Sequence, residues 1–266
     1  MRVMRHPINE TGRDLVVGDI HATFSVVAAA LQVARFDWKG DRLFSVGDLV
    51  DRGPEPKRAL AFLRNPRIHA IRGNHEDMFL DCYQDSIPDE DALRYWTRHN
   101  GMSWWMDLTH EERMEFIEAF RKLPIVMEIE TERGIVGLVH GEVPHGMDWN
   151  TFVRRIEDGD HHVTKTALWG RSRIEHGDDS GVVGVDRLFC GHTIVNAPTR
   201  LGNVYYIDSG SFVGVRDNDA QNGRLTIADL CSRTGVFQNP ASGEFFDIRT
   251  EKAPEGQPFG RYARKI

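Results

Sequence analysis

Five short segments of this 266-residue chain carry side chains that could do chemistry together. They are Gly18-Asp19-Ile20-His21, Gly47-Asp48-Leu49-Val50-Asp51-Arg52-Gly53, Gly73-Asn74-His75-Glu76, His140-Gly141 and Gly191-His192-Thr193. Asp19 and His21 are two apart, so on a regular strand both face one side and can reach one ion. Asp48 adds a carboxylate whose two oxygens can bridge two cations. Asn74 supplies a neutral carbonyl oxygen, and His140 and His192 supply imidazole nitrogens. The set contains no thiolate. It suits Mn, Fe or Zn better than Ca or Mg, and it argues against a structural zinc. Gly18, Gly47, Gly73 and Gly191 each precede a proposed ligand, where a missing Cβ lets the backbone turn tightly or approach an ion or phosphate.

Two cations about 3.5–4 Å apart can generate hydroxide from a shared water, hold phosphoryl oxygens in line with it and neutralise transition-state charge. That chemistry also needs a proton donor for the leaving oxygen and cations for the equatorial oxygens. His75, next to Asn74, can be the general acid. Asp51 can orient it by accepting its other ring hydrogen. Arg52, in the same Asp-Arg-Gly turn, offers a planar fork suited to phosphate.

Elements able to position these residues are visible in the pattern. Four of the five segments follow apolar runs that read as buried strands, at 15–17, 43–46, 135–139 and 187–190. Ligands gather at the carboxyl ends of strands in open α/β sheets. Phe24, Val27, Ala28 and Leu31 are spaced for one helix face, so strand, helix and strand over 14–46 form a βαβ unit with parallel strands. A helix is predicted near 55–63, with Pro54 suited to its first turn, and a strand at 68–71. Residues 1–13 are polar and are expected outside the sheet. Residues 77–122 read as a helical insertion beside the strand ends. There Thr109 and Glu112 form a capping-box pattern, and Trp96, Trp104 and Trp105 are expected as core. Further strands are predicted at 125–129, 135–139, 188–190, 204–207 and 225–230. The polar, Gly-rich span 145–186 is expected to form loops over the site, with His145, His161, His162 and His176 on the surface. No linker cuts the chain. The expectation is a single α/β domain over 1–266, with a core of about 14–232, a helical insertion of about 77–122 and a tail of about 250–266.

Composition narrows the class. Hydrophobic residues make up 40% and charged residues 27%, an ordinary globular balance. The net charge of -7 gives no bulk electrostatic case for nucleic acid, and the basic tail with Lys252, Arg261, Arg264 and Lys265 reads as a solvated end. Cys82, Cys190 and Cys231 form no CxxC pair, which fits a reducing, cytoplasmic setting better than a disulfide framework. The first 25 residues show no signal-peptide pattern, and no run is long enough to span a membrane.

In order and spacing, the five segments resemble the signature of the PPP-type metallophosphatases, the serine/threonine phosphatases that include the bacteriophage lambda phosphatase and its bacterial relatives. The resemblance covers roughly residues 14–210. It implies a calcineurin-like metallophosphoesterase fold, a β-sandwich of two mixed sheets flanked by helices with the site at its edge. It implies that Asp19, His21 and Asp48 hold one metal and that Asp48, Asn74, His140 and His192 hold the second, most often Mn. His75 would be the acid supported by Asp51, and Arg52 and Asn74 would meet phosphate. A further arginine is expected from Trp169-Gly170-Arg171-Ser172-Arg173, with Arg171 first and Arg173 as runner-up. The stretch 96–105 around Asn100-Gly101 resembles the helical wall of the phage-type enzymes. Ala22 stands where the family has Gly, which puts the local turn in question. The chain lacks the long C-terminal part of the eukaryotic enzymes.

The implied activity is phosphomonoester hydrolysis on phosphoserine or phosphothreonine in proteins, with phosphotyrosine as a further option. The alternative is hydrolysis of a symmetrical dinucleoside polyphosphate such as diadenosine tetraphosphate. Asp51, the acid just before Arg52, favours the first. A silent scaffold would lack a ligand, and none is missing. The expected partners are a phosphoprotein or small phosphoester, with neither nucleic acid nor membrane.

Overall fold

The computed structural model describes residues 1–84, 88–217, 223–230, 234–239 and 244–249. Cys231 and the tail from residue 250 lie outside the described residues. In chain order the first half runs β1 (Val3–His6), β2 (Asp14–Val17), α1 (Phe24–Val33), β3 (Arg42–Ser45), α2 (Arg58–Leu63), β4 (Ile68–Ala70) and α3 (Asn74–Cys82). Then come α4 (Glu90–Asn100), a 3-10 turn at Met102–Asp107 and α5 (His110–Lys122). The second half contains β5 (Val126–Thr131), β6 (Gly134–Val139), α6 (Trp149–Glu157), α7 (His161–Trp169), α8 (Ser172–His176), β7 (Arg187–Cys190), β8 (Thr199–Leu201), β9 (Val204–Tyr206), α9 (Ser211–Asp217) and β10 (Ile227–Asp229). A last antiparallel pair joins β11 (Thr234–Asn239) to β12 (Glu244–Arg249).

Two mixed sheets face each other. One has the order β10-β2-β3-β4, with β2, β3 and β4 parallel and β10 antiparallel to β2. The other has the order β1-β5-β6-β7-β9-β8 and mixes both pairings. Val16, Phe44, Val46, Met127, Val136, Leu138 and Phe189 fill the space between them. Phe44 is fully buried there, and truncating such a ring costs about 3–5 kcal/mol. Because β2 and β3 are covered on both faces, they read as continuous apolar runs. The helices close the outer faces. α1, α3 and α5 bury Phe24, Leu31, Phe79, Phe116 and Phe120 against the first sheet. Trp105 is fully buried in the same cluster, and Thr109 and Glu112 form the capping box of α5. No helix among the described residues is long and apolar enough to cross a membrane.

Three expectations are corrected. Residues 1–13 are not all outside the sheet, because β1 pairs in parallel with β5, Val3 opposite Val126. Its outward residues are polar and pair locally, as Arg5 does with Glu128 and Glu157, so the alternation is masked by an edge position. The span 145–186 is not only loop, for it holds α6, α7 and α8. Trp149, Phe152, Val153 and Ile156 repeat at helical spacing and are buried, while Asp148 and Asp160 cap α6 and α7. Polar composition had hidden that stripe. Strand β8 falls outside the predicted strands as well.

His6, at the end of β1, packs its ring 5.0 Å from Phe44 and 4.4 Å from His69. Its Nε2 is buried without a hydrogen-bond partner among the described residues. Burial, with His69 and Arg42 adding to it, pushes its pKa from 6.5 down to about 4. Between those values the unfolded chain binds the proton and the folded one does not, so this group stabilises less as pH falls. Stability relative to a His6→Leu variant should drop as pH is lowered from about 6.5 toward about 4. Urea melts of both proteins across that range check it, and parallel curves would refute it.

Candidate active site

The turns after β2, β3, β4, β6 and β7 converge on Asp48. Its Oδ2 lies 3.4 Å from His21 Nε2 and 3.8 Å from His75 Nε2. Its Oδ1 lies 3.4 Å from His140 Nε2 and accepts the backbone N–H of His75 at 3.0 Å. Asn74 Oδ1 lies 2.8 Å from His140 Nε2 and 2.9 Å from His192 Nδ1. Asp19 Oδ2 accepts the backbone N–H of His192 at 3.0 Å. His21, Asp48 and His75 form one group with ligand atoms within 4.8 Å of one another, and Asp19, Asp48 and His140 form a second. All six residues read from the sequence as ligands therefore meet at one place.

The donor set fits a pair of divalent cations. Asp19, Asp48, Asp51, Glu76 and Asp208 are all buried, and so much buried carboxylate needs compensating positive charge. Asp19 Oδ1 and Asp208 Oδ2 have no hydrogen-bond partner among the described residues. Burial pushes Asp19 well above the ordinary carboxylate range, and Asp208 and Asp48 add to it. Burial pushes Asp208 up to about 6. Burial would raise Asp48 too, but His140, His75 and His21 hold it well below its usual value. Burial pushes His21 well down and His192 down to about 3, which leaves both neutral, the state in which an imidazole ligates a metal. Nδ1–H of His140 donates to the Val46 carbonyl at 2.7 Å and Nδ1–H of His21 to that of Val50 at 3.0 Å, so Nε2 of each faces the cluster.

Beside this centre lies a buried hydrogen-bonded chain. His75 Nδ1 donates to Asp51 Oδ2 at 2.6 Å, and both side chains are fully buried. His75 Nε2 is left facing the site, buried and without a hydrogen-bond partner among the described residues. The indole N–H of Trp104 donates to Asp51 Oδ1 at 2.6 Å, so both carboxylate oxygens are held. Trp104 packs half-buried against the apolar cluster of the insertion, as expected, and also reaches the site. Arg52 Nη1 donates to His21 Nε2 at 3.0 Å and stacks over the Phe212 ring at 4.9 Å. Arg171 Nη2 donates to His192 Nε2 at 2.8 Å. Arg173 is buried and pairs with Asp178 at 2.9 Å, so of the two arginines only Arg171 faces the cluster.

Three further residues gained no role from the sequence. Glu76 stands in the third motif, and its carboxylate accepts the backbone N–H groups of Asp48, Leu49 and Gly73. Asp208 follows β9 and joins the acidic cluster without any motif around it. Phe212, in α9, packs edge-on against His21 as well as under Arg52.

The backbone is strained where the ligands sit. His21, Ala22, Asp48, Asp51, Arg52 and His192 all have φ between +43° and +68°. Left-handed non-Gly residues cost roughly 1–2 kcal/mol each and cluster at functional sites. Ala22 has φ +54°, so this chain accepts a methyl group in a conformation that favours glycine. Two of the four motif glycines make room for carboxylates, while Gly18 and Gly47 stand against the backbone of Ile207 and Gly73. A Cβ on Gly73 would stand 2.2 Å from Asp48 Oδ1, and one on Gly191 would stand 2.0 Å from Asp19 Oδ1.

Comparisons agree with this arrangement. The family model for calcineurin-like phosphoesterases matches residues 13–196. Serine/threonine-protein phosphatase 1 of Salmonella typhimurium is 35% identical over 218 residues, covering 81% of this chain and 90% of that protein. A symmetrical bis(5'-nucleosyl)-tetraphosphatase of Thioalkalivibrio sulfidiphilus is 29% identical over 174 residues, covering 59% of this chain and 62% of that protein. The crystal structure of a cold-active protein-tyrosine phosphatase from a Shewanella species superposes with a TM-score of 0.57 at 14% identity, covering 93% of this chain and 83% of that one, and so shares the fold.

Gly191→Ala tests the carboxylate packing. The added methyl must displace the Asp19 carboxylate, so affinity for Mn should fall roughly 10–100-fold. Equilibrium dialysis with circular dichroism checks it. Unchanged affinity in a folded variant would refute the packing argument.

Proposed function

The chain belongs to the calcineurin-like phosphoesterase family, and from that premise we propose that it removes phosphate from phosphoserine and phosphothreonine side chains of proteins. The observation that carries this reading is the Trp104–Asp51–His75 hydrogen-bonded chain, which ends on a free Nε2 beside the metal-ligand cluster. An alkoxide is a poor leaving group, so hydrolysis of such esters gains most from a positioned proton donor. Asp51 supplies the acid before Arg52 that, through the family resemblance of the five segments, favours a protein phosphatase over a dinucleoside polyphosphate hydrolase.

In this reading Asp19, His21 and Asp48 hold one cation, and Asp48, Asn74, His140 and His192 hold the other. When bound, the cations supply an activated water and offset the phosphoryl charge. Arg52 and Arg171 present their guanidinium forks to the phosphoryl oxygens, leaving the imidazoles they touch here. Asn74 lies between the two late histidines and orients the same group. Burial pushes His75 from 6.5 down to about 4, with Arg52 and His140 adding to it against the Asp48 charge, so before substrate binds the ring is neutral and carries its hydrogen on Nδ1. It acts as the acid only as the imidazolium, favoured once the anionic phosphoryl group enters: Nε2 then gives that added proton to the leaving oxygen, and Nδ1–H stays on Asp51. The oxygen and nitrogen donor set, with no thiolate, favours manganese, with iron or zinc as alternatives. The buried free thiols of Cys82 and Cys190 support a reducing, cytoplasmic setting. The same reading takes residues 1–266 as one catalytic domain, with α4, the 3-10 turn and α5 as its insertion.

Three measurements test it. Mn-loaded protein should hydrolyse a phosphoserine peptide at a higher kcat/KM than diadenosine tetraphosphate, with no turnover in chelator. Preference for the dinucleotide would overturn the protein-substrate reading and move the chain to nucleotide hydrolysis. His75→Asn should lower kcat on the peptide by roughly 10²–10⁴-fold with metal content intact. Trp104→Phe keeps the ring but removes the N–H, and should lower kcat about tenfold on the peptide and much less on p-nitrophenyl phosphate, whose leaving group needs no proton. Equal losses on both substrates would reduce Trp104 to a packing residue.

A further inference from the structure

A cleft of about 590 Å³ lies beside the site, between α3, the end of α5, α7 and the N-terminal segment. Arg2, Arg72, Arg121 and Lys165 line it, against two acids, Asp77 and Asp81. It is thus a locally cationic channel in a chain whose net charge is -7. The cations are not all spent inside the fold. Arg72 pairs with Asp77 at 3.1 Å and Arg121 with Glu118 at 3.1 Å. Arg2 and Lys165 have exposed side chains with no ion pair or side-chain hydrogen bond among the described residues. The Arg2 guanidinium lies over the turn between α6 and α7, where a Cβ on Gly159 would stand 3.0 Å from its Cζ.

None of the site residues named above lines the cleft, and its link to the catalytic centre is Trp169. Arg72 and Asp77 flank the Gly73-Asn74-His75-Glu76 segment. Trp169, which also lines the cleft, sets its ring 6.0 Å from the His192 ring and stacks at 6.4 Å on Trp96. Lys165 stands one helical turn before Trp169 on α7, about 6 Å farther along. An extended chain advances about 3.3–3.6 Å per residue. A peptide anchored by its phosphate near His192 therefore brings roughly its third or fourth neighbouring residue to Lys165.

On these grounds, and resting on the phosphatase reading above, we infer that the cleft is a docking groove for an acidic segment flanking the phosphorylated residue of the substrate. Trp169 forms the step between the catalytic centre and the groove, and Lys165 and Arg2 receive the carboxylates. Both are solvated, so they act on encounter and on KM more than on kcat, and salt weakens them.

The test uses Mn-loaded protein and phosphoserine peptides with Glu, Ala or Lys at the third and fourth positions on either side. Wild type should favour the Glu peptide on one side. The double variant R2A/K165A should lose about five- to tenfold in kcat/KM on that peptide, chiefly through KM, as expected for two exposed ion pairs. Its turnover of p-nitrophenyl phosphate should be unchanged, and 0.5 M NaCl should erase the wild-type preference. Equal rates on all peptides, or a preference that survives in the variant, would overturn the inference while leaving the phosphatase reading intact. Loss of diadenosine tetraphosphate hydrolysis in the variant, with no effect on peptides, would also overturn it by making the groove a nucleotide subsite. Absence of turnover on p-nitrophenyl phosphate and every peptide would instead sink the phosphatase reading itself.

Discussion

One buried carboxylate holds the centre together. Glu76, in the first turn of α3, accepts N–H bonds from Asp48 at 3.0 Å, Leu49 at 2.8 Å and Gly73 at 2.8 Å. It thereby ties the turn after β3 to the start of α3, and Asp48 is fixed between them. Hydrogen bonds to an ionised acceptor are among the strongest available to a side chain. Yet burial pushes Glu76 up to about 7, with the Asp48 charge adding to it, while the Gly73 and Leu49 N–H groups pull it down. The clamp and the need for cations are therefore one problem. His140 also pulls Glu76 down, and the Glu76 hydrogen bond fixes the Asp48 backbone.

The price of this arrangement is visible in the backbone. Six residues of the centre take left-handed conformations that side chains disfavour, and rigid sheets on either side hold them there. The two sheets share a core of large apolar residues directly beneath the site, which gives the strained turns a fixed base. Shape and charge thus converge: the sandwich supplies rigidity, and the strained turns aim short polar side chains at one point.

The segment from α4 through α5 touches the Asp51-Arg52 turn directly. Trp104 holds Asp51 from the insertion side, and Gly101 lies so close to Arg52 that a Cβ there would meet its backbone nitrogen at 2.9 Å. Asn100 donates to the Met78 sulfur at 3.0 Å, linking α4 to α3. The Asp51-Arg52 turn is therefore shaped from two directions, by its own sheet and by the insertion. On the opposite rim, Trp169 and α7 connect the centre to the cationic cleft.

Much of this was legible in the chain itself. The strands at 14–17 and 43–46, the helix face of Phe24, Val27 and Leu31, and the capping box at Thr109 are local patterns, set by neighbours a few residues apart. The residue types of the ligand set and their placement after apolar runs were legible for the same reason. The strand at 3–6 and the α6 stripe were missed because edge position and polar composition mask the periodicity. Only the tertiary structure could decide between Arg171 and Arg173, bring Asp208 into the cluster, or show that Gly73 and Gly191 make room for carboxylates. Trp104 meets Asp51 across 53 positions, Asn74 meets His192 across 118, and His192 meets Asp19 across 173. Contacts of that separation leave no periodic trace in the sequence. They exist because two sheets, closed on a shared core, carry the ends of distant strands to one edge.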